Sequence, residues 1–152
     1  VLEFDEAFRA RLVELLTWRR DVRRFRSDAL PEGLLEQLLE IAALAPSVGL
    51  SQPWRFVLVE DAGRRAQVRA NFEGANAAAL AAYEGAEAQT YARLKLAGLE
   101  EAPVHLAVFV DPSTAQGRGL GRRTMPEMIE YSAVTAIHTL WLAARAHGVG
   151  LG

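Results

Sequence analysis

Apolar residues recur at Phe8, Leu12, Leu15 and Leu16, a spacing that sets side chains along one face of a helix. The pattern predicts an amphipathic helix over residues 5–18. The next stretch, Arg19 to Arg26, is rich in arginine, lacks apolar periodicity and reads as a loop. Pro31 suits a first helical position, where no N–H is needed, and Leu34, Leu35, Leu38, Ile41 and Ala42 supply the buried stripe of a second helix. Pro46 ends it. Residues 47–53 form a loop, and Trp54-Arg55-Phe56-Val57-Leu58-Val59 is rich in β-formers and suits a strand.

Asp61 is placed to cap a further helix. From Arg64 to Leu99 the chain is alanine-rich and helical in propensity, with breaks expected at Gly74 and Gly85. The apolar run Val104 to Val110, following Pro103, predicts a buried central strand. Asp111 to Arg123 is a long, polar, glycine-rich connection, a kind that is functional or mobile in compact domains. Pro126 opens a last helix whose buried face is expected to carry Met128, Tyr131, Val134, Ile137, Trp141 and Leu142. It runs to His147, with Gly148 at the C-cap, and residues 149–152 begin an extended segment. A sequence that stops on the first residues of a strand is expected to continue in the natural protein. The order of elements predicts an α+β (or layered α/β) fold, with residues 1–152 as a single domain lacking its C-terminal strand or strands.

Composition narrows the function classes. Of 152 residues 51% are apolar, enough for a real core, and disorder is excluded. A net charge of -2 and an isoelectric point near 6.0 give no global attraction to nucleic acid or membrane. There is no cysteine, so disulfides, thiolate nucleophiles and zinc-thiolate sites are ruled out. Acidic residues occupy the start, where a signal peptide would be basic, and no run approaches the roughly 20 apolar residues of a bilayer span. A soluble, cytoplasmic protein with no nucleic-acid or membrane partner is expected.

Against that acidic background the sharpest feature is Arg19-Arg20-Asp21-Val22-Arg23. Three guanidiniums within five residues repel one another. A dianionic phosphate would relieve the repulsion, because arginine offers phosphate oxygens two parallel charge-assisted hydrogen bonds. Asp21, the carboxylate inside the cluster, is placed to accept a proton or a hydrogen bond from a ring N–H. The plainer alternative is a solvated helix end whose arginines pair with Glu14 or Asp28. A second feature is Pro46-Ser47-Val48-Gly49 followed by Gln52-Pro53-Trp54: a hydroxyl, a flexible glycine and an amide that can address the polar edge of a planar heterocycle, with Trp54 as an apolar wall. A helix stop followed by the start of a strand accounts for the same residues.

Gly117-Arg118-Gly119-Leu120-Gly121 is not a dinucleotide fingerprint, because Arg122 stands where the third glycine belongs and the segment lies too far from the strand. It is either a mobile lid or simple slack. His105, His138 and His147 lack metal-ligand spacing, so they read as structural and no metal site is expected.

Together, Arg19-Arg20-Asp21-Val22-Arg23, Ala45-Pro46-Ser47-Val48-Gly49 and Gln52-Pro53-Trp54-Arg55-Phe56 resemble the FMN-binding half of nitroreductase-fold proteins. Leu94-Lys95-Leu96-Ala97-Gly98-Leu99, Gly119-Leu120-Gly121-Arg122, Thr124-Met125-Pro126-Glu127 with Tyr131-Ser132, and Leu140 to Ala146 resemble the 5,6-dimethylbenzimidazole synthase branch of that family. The resemblance implies a nitroreductase-like fold with a central mixed or antiparallel sheet flanked by helices, and an FMN site in an intertwined homodimer. It implies that Arg19, Arg20 and Arg23 hold the phosphate and ring edge, that Val22, Ser47 and Leu96 complete the flavin contacts, and that Asp21 is the catalytic carboxylate. It further implies that reduced FMN is a substrate, consumed with molecular oxygen to give dimethylbenzimidazole (the lower ligand of cobalamin) and erythrose 4-phosphate, and that a separate flavin reductase supplies it. The family's Trp-Val-Ser segment, whose serine contributes to catalysis, falls beyond Gly152. Two other functions compete: an ordinary NAD(P)H-dependent nitro- or flavin reductase, which needs no acid–base carboxylate at Asp21, and a non-catalytic flavin-binding module.

Overall fold

The Asp5 carboxylate accepts the Phe8 N–H at 2.7 Å and so caps the first helix, α1 (Glu6–Trp18). The computed structural model describes residues 3–80 and 97–152. Helix α1 forms where the periodicity places it, but the described residues leave most of its apolar face uncovered. None of its residues is buried, and Phe8, Leu12 and Leu16 are exposed.

The second helix, α2 (Leu34–Ala42), starts three residues later than Pro31 suggests. Gly33 sits at φ 75°, in the left-handed region, so residues 32–33 turn before the helix can begin. The expected stripe is right: Leu38 and Ala42 are buried, while Leu34, Leu35 and Ile41 are half-buried.

Strand β1 (Trp54–Leu58) pairs with β2 (Leu106–Val110). The order is antiparallel, with the Asp111 N–H donating to Pro53 O at one end and the Val59 N–H to His105 O at the other. Among the described residues the named strands make a two-stranded sheet, and an isolated parallel bridge joins Asp21 to Leu151. The buried central strand expected at 104–110 is corrected. Most of β2 is half-buried and Phe109 is exposed, because β1 is the one strand hydrogen-bonded to it among the described residues.

Helix α3 (Ala62–Leu80) is capped by Asp61, whose Oδ1 accepts the Arg64 N–H at 2.8 Å. It runs through Gly74 without the expected break. A single glycine weakens a helix by only about 1 kcal/mol relative to alanine, too little to stop one. Gly85 lies outside the described residues, and residues 97–101 are helical.

The last helix, α4 (Met128–Ala146), is led in by a tight turn in which the Ile129 N–H donates to Pro126 O. Its buried face differs from the expected one. Ile129, Ser132, Ala133, Ala136, Leu140, Ala143 and Ala144 face inward, whereas Tyr131 and Val134 are exposed. Small side chains there let α4 approach α2 closely, and Met128, Ile137, Trp141 and Leu142 are left half-buried at the edges of that face.

The chain divides into two compact units. One comprises residues 1–21, 32–55 and 108–151 and contains α1, α2 and α4. Its core gathers Leu38, Ala42, Ala45 and Trp54 with the inner face of α4. The other comprises residues 22–31, 56–107 and 152. Within it Arg65 donates to Val59 O at 2.7 Å and Pro103 O at 3.1 Å, and Glu101 accepts from both Arg24 and the Phe25 N–H. No helix among the described residues is long and apolar enough to cross a membrane.

Candidate functional site

Helix α1 ends at Trp18, and Arg19 leaves it in an extended conformation while its N–H still bonds Leu15 O. The arginine cluster therefore sits on irregular backbone at a helix exit, as the missing periodicity predicts. Trp141 of α4 organises its first half. The Arg19 guanidinium lies 4.8 Å over the Trp141 ring, a cation–π contact, and the indole N–H donates to Arg20 O at 3.3 Å. Arg20 turns its guanidinium back onto Thr17 O and Arg19 O. Asp21 is exposed, and its backbone is fixed by the bridge to Leu151.

The plainer reading expected Glu14 or Asp28 to neutralise this cluster. Glu14 instead pairs with Arg11 at 2.7 Å, and Asp28 with Arg26 at 2.7 Å, which holds the Asp28 carboxyl below its ordinary value. Both pairs are exposed, so neither contributes much to stability. Val22 and Arg23 fall in the second unit and are half-buried. Leu96 lies outside the described residues.

The loop carrying Ser47 is held from two sides. From α4, the buried Ser132 hydroxyl accepts the Val48 N–H at 3.0 Å and donates to Met128 O at 2.6 Å. The Thr135 hydroxyl lies 2.8 Å from Pro46 O. From the other side comes the glycine-rich segment. An added Cβ on Gly117 would lie 2.2 Å from Gly49 O, and one on Gly121 2.6 Å from Val48 Cγ2. Both glycines have positive φ, so they supply close backbone approach and a left-handed turn together. The segment offered as either lid or slack is thus packed against the Ser47 loop.

Within the loop, Ser47 Oγ accepts the Gln52 N–H at 3.1 Å. Leu50 and Gln52 adopt φ of 56° and 40°, a left-handed conformation that non-glycine residues hold only where surrounding contacts impose it. Ser51 is buried, and its hydroxyl has no hydrogen-bond partner among the described residues. Trp54, expected as a wall beside a ligand, is buried in the core of its unit at the start of β1. An open groove of about 620 Å³ lies elsewhere, among Phe8, Leu12, Leu15, Trp18 and Arg145.

Burial and the nearby Arg65 charge press His105 below its ordinary value, and its Nε2 is buried without a hydrogen-bond partner among the described residues. His147 caps α4. Among the described residues no group of three metal-ligating side chains converges.

A sequence model described as the Nitroreductase family matches residues 16–152. The chain belongs to the nitroreductase family. Among its nitroreductase-family relatives is the 5,6-dimethylbenzimidazole synthase of Rhodospirillum rubrum, 57% identical over 149 residues, covering 98% of this chain and 71% of the relative. A protein of the same name from Rhodobacter capsulatus is 49% identical over 151 residues, covering 99% and 73%. Among solved structures, an oxidized iodotyrosine deiodinase bound to FMN and 3-iodo-L-tyrosine superposes with a TM-score of 0.72 at 29% identity, covering 91% of this chain and 71% of that one. The nitroreductase-like α+β fold is therefore as expected from the resemblance.

Sequence alone does not reveal three parts of this nitroreductase-family framework: Trp141 beneath Arg19, the Ser132–Thr135 pair, and the 2.6 Å hydrogen bond from Gln116 Nε2 to Gln52 Oε1. Ser132 and Thr135 carried a usable signal, since hydroxyls at helical spacing on an otherwise apolar face need backbone partners. Nothing in the sequence pairs Gln116 with Gln52.

Proposed function

We propose that this chain is a 5,6-dimethylbenzimidazole synthase that binds reduced FMN as substrate and fragments it in an oxygen-dependent reaction. The observation that carries the reading is identity of 57% over 98% of the chain with a protein of that name. Identity of that extent along the whole chain speaks for a shared reaction as well as a shared fold. The products are dimethylbenzimidazole for the lower ligand of cobalamin and erythrose 4-phosphate. A separate flavin reductase supplies reduced FMN, and the reaction belongs in the cytoplasm.

The donor chemistry fits this substrate. Arg19, Arg20 and Arg23 offer planar forked donors suited to a phosphate and ring edge, and Val22, Ser47 and Leu96 complete the flavin contacts. Trp141 lies against the Arg19 guanidinium and donates to the Arg20 carbonyl, so less side-chain freedom of Arg19 is lost on binding. Asp21 is the proton-handling group. Its backbone, tied to Leu151, gives the carboxylate a fixed base from which to accept or return a proton at the ring.

Residues 1–152 act as one nitroreductase-like domain within a homodimer. The exposed apolar face of α1, with Leu44, Leu50, Leu120, Tyr131 and Val134 also exposed, supports a second copy as the cover. Mixing the protein anaerobically with reduced FMN, admitting oxygen and identifying products by mass tests the activity. Dimethylbenzimidazole supports it. FMN returned intact, with NAD(P)H consumed on turnover, overturns it in favour of a reductase.

A further inference from the structure

The residue before Gly117 reaches into the Ser47 loop. Gln116 Nε2 donates to Gln52 Oε1 at 2.6 Å, while Gln52 Nε2 donates to Ala43 O at 3.3 Å. The Gln52 side chain is thereby held at both ends of its amide. Its backbone, at φ 40°, points its N–H at Ser47 Oγ. That contact occupies a lone pair of the hydroxyl and leaves the Ser47 proton free to be donated. The close approach that lets Gln116 reach Gln52 exists because Gly117 and Gly121 carry no side chain against Gly49 and Val48.

We infer that Gln116 is a positioning residue for the Ser47 hydroxyl: acting through Gln52, it fixes Ser47 as a hydrogen-bond donor toward an acceptor atom on the ring edge of the bound flavin. The inference rests on the proposed reading of Ser47 as a flavin contact. It assigns the glycine-rich segment the task of delivering one amide to the loop. Gln116 is exposed and belongs to no core, so its replacement perturbs the bridge without opening a cavity.

The test is a binding cycle on the full chain with oxidised FMN, followed by flavin fluorescence. Gln116→Glu keeps the length but cannot donate to Gln52 at neutral pH, and Gln116→Ala removes the group. Each is expected to raise the FMN dissociation constant about 2- to 10-fold, the worth of one neutral hydrogen bond. In a Ser47→Ala background the same changes should have no further effect, because the hydroxyl through which they act is gone. Equal losses in both backgrounds overturn the inference, since Gln116 would then act independently of Ser47. Unchanged affinity in both single variants overturns it as well, while leaving the proposed function standing. Failure of the unmodified protein to bind FMN overturns both.

Discussion

Gly117 and Gly33 have nearly the same backbone conformation, at φ 74° and 75°, in quite different surroundings. An alanine at either position meets the left-handed penalty of about 1–2 kcal/mol. At Gly33 no described residue lies within 4 Å of the added Cβ, so that penalty is the whole cost in the folded state. At Gly117 the Cβ would stand 2.2 Å from Gly49 O and 3.0 Å from Ser51 N, both backbone atoms that cannot rotate away. Separating the two segments should cost about 1–3 kcal/mol more, the range for overpacking a tight contact. The unfolded-state effect of replacing glycine is the same in both variants and cancels in the comparison. Gly33→Ala is therefore expected to lose about 1–2 kcal/mol, and Gly117→Ala about 2–5 kcal/mol. For a chain of this size each kcal/mol moves Tm by roughly 2–4 °C, so the two melts should separate clearly. Thermal and urea unfolding of both variants measures the difference directly. Equal losses would refute the claim that the glycine-rich segment is packed on the Ser47 loop.

Arg19→Ala should weaken FMN binding by about 1.5–3 kcal/mol, the worth of a hydrogen bond to a charged group, and unchanged affinity in a flavin titration would remove Arg19 from the phosphate site. His105 binds its proton less readily when folded than at its ordinary value of 6.5, so the unfolded chain takes up protons first as pH falls. Stability should be intact above that value and decline below it, and His105→Gln should flatten the urea midpoint between pH 7.5 and about 5.5; identical pH dependence in both proteins would contradict this. Sedimentation at micromolar concentration should show a dimer, and a stable monomer would leave the apolar face of α1 unexplained.

The elements were legible where local physics decides them. The Asp61 cap, the α2 stripe and the helix-exit position of the arginines follow from neighbours a few residues apart. The start of α2 was misplaced because Gly33 adopts a left-handed turn that Pro31 alone does not reveal. The face of α4 was misread because bulk suggests burial, whereas close helix packing selects Ala133, Ala136, Ala143 and Ala144. The arginine cluster stood out through its charge. Its supports did not, since Trp141 and Leu151 are more than a hundred residues away in sequence. The glycines at 117 and 121 signalled an unusual backbone, but only their partners Gly49 and Val48 give that backbone a purpose.

If Asp21 handles protons in a reaction that consumes FMN, a mass balance on the flavin reveals it. The protein and its Asp21→Asn variant are each loaded anaerobically with a known amount of reduced FMN and then exposed to oxygen. Residual FMN and dimethylbenzimidazole are quantified together. Asparagine keeps the shape of aspartate but cannot take up a proton, so the variant should bind FMN nearly normally. Dimethylbenzimidazole should match the FMN lost in the unmodified protein and form roughly 10²–10⁴-fold more slowly in the variant. Full recovery of FMN from the unmodified protein, or an undiminished rate from Asp21→Asn, would contradict the account.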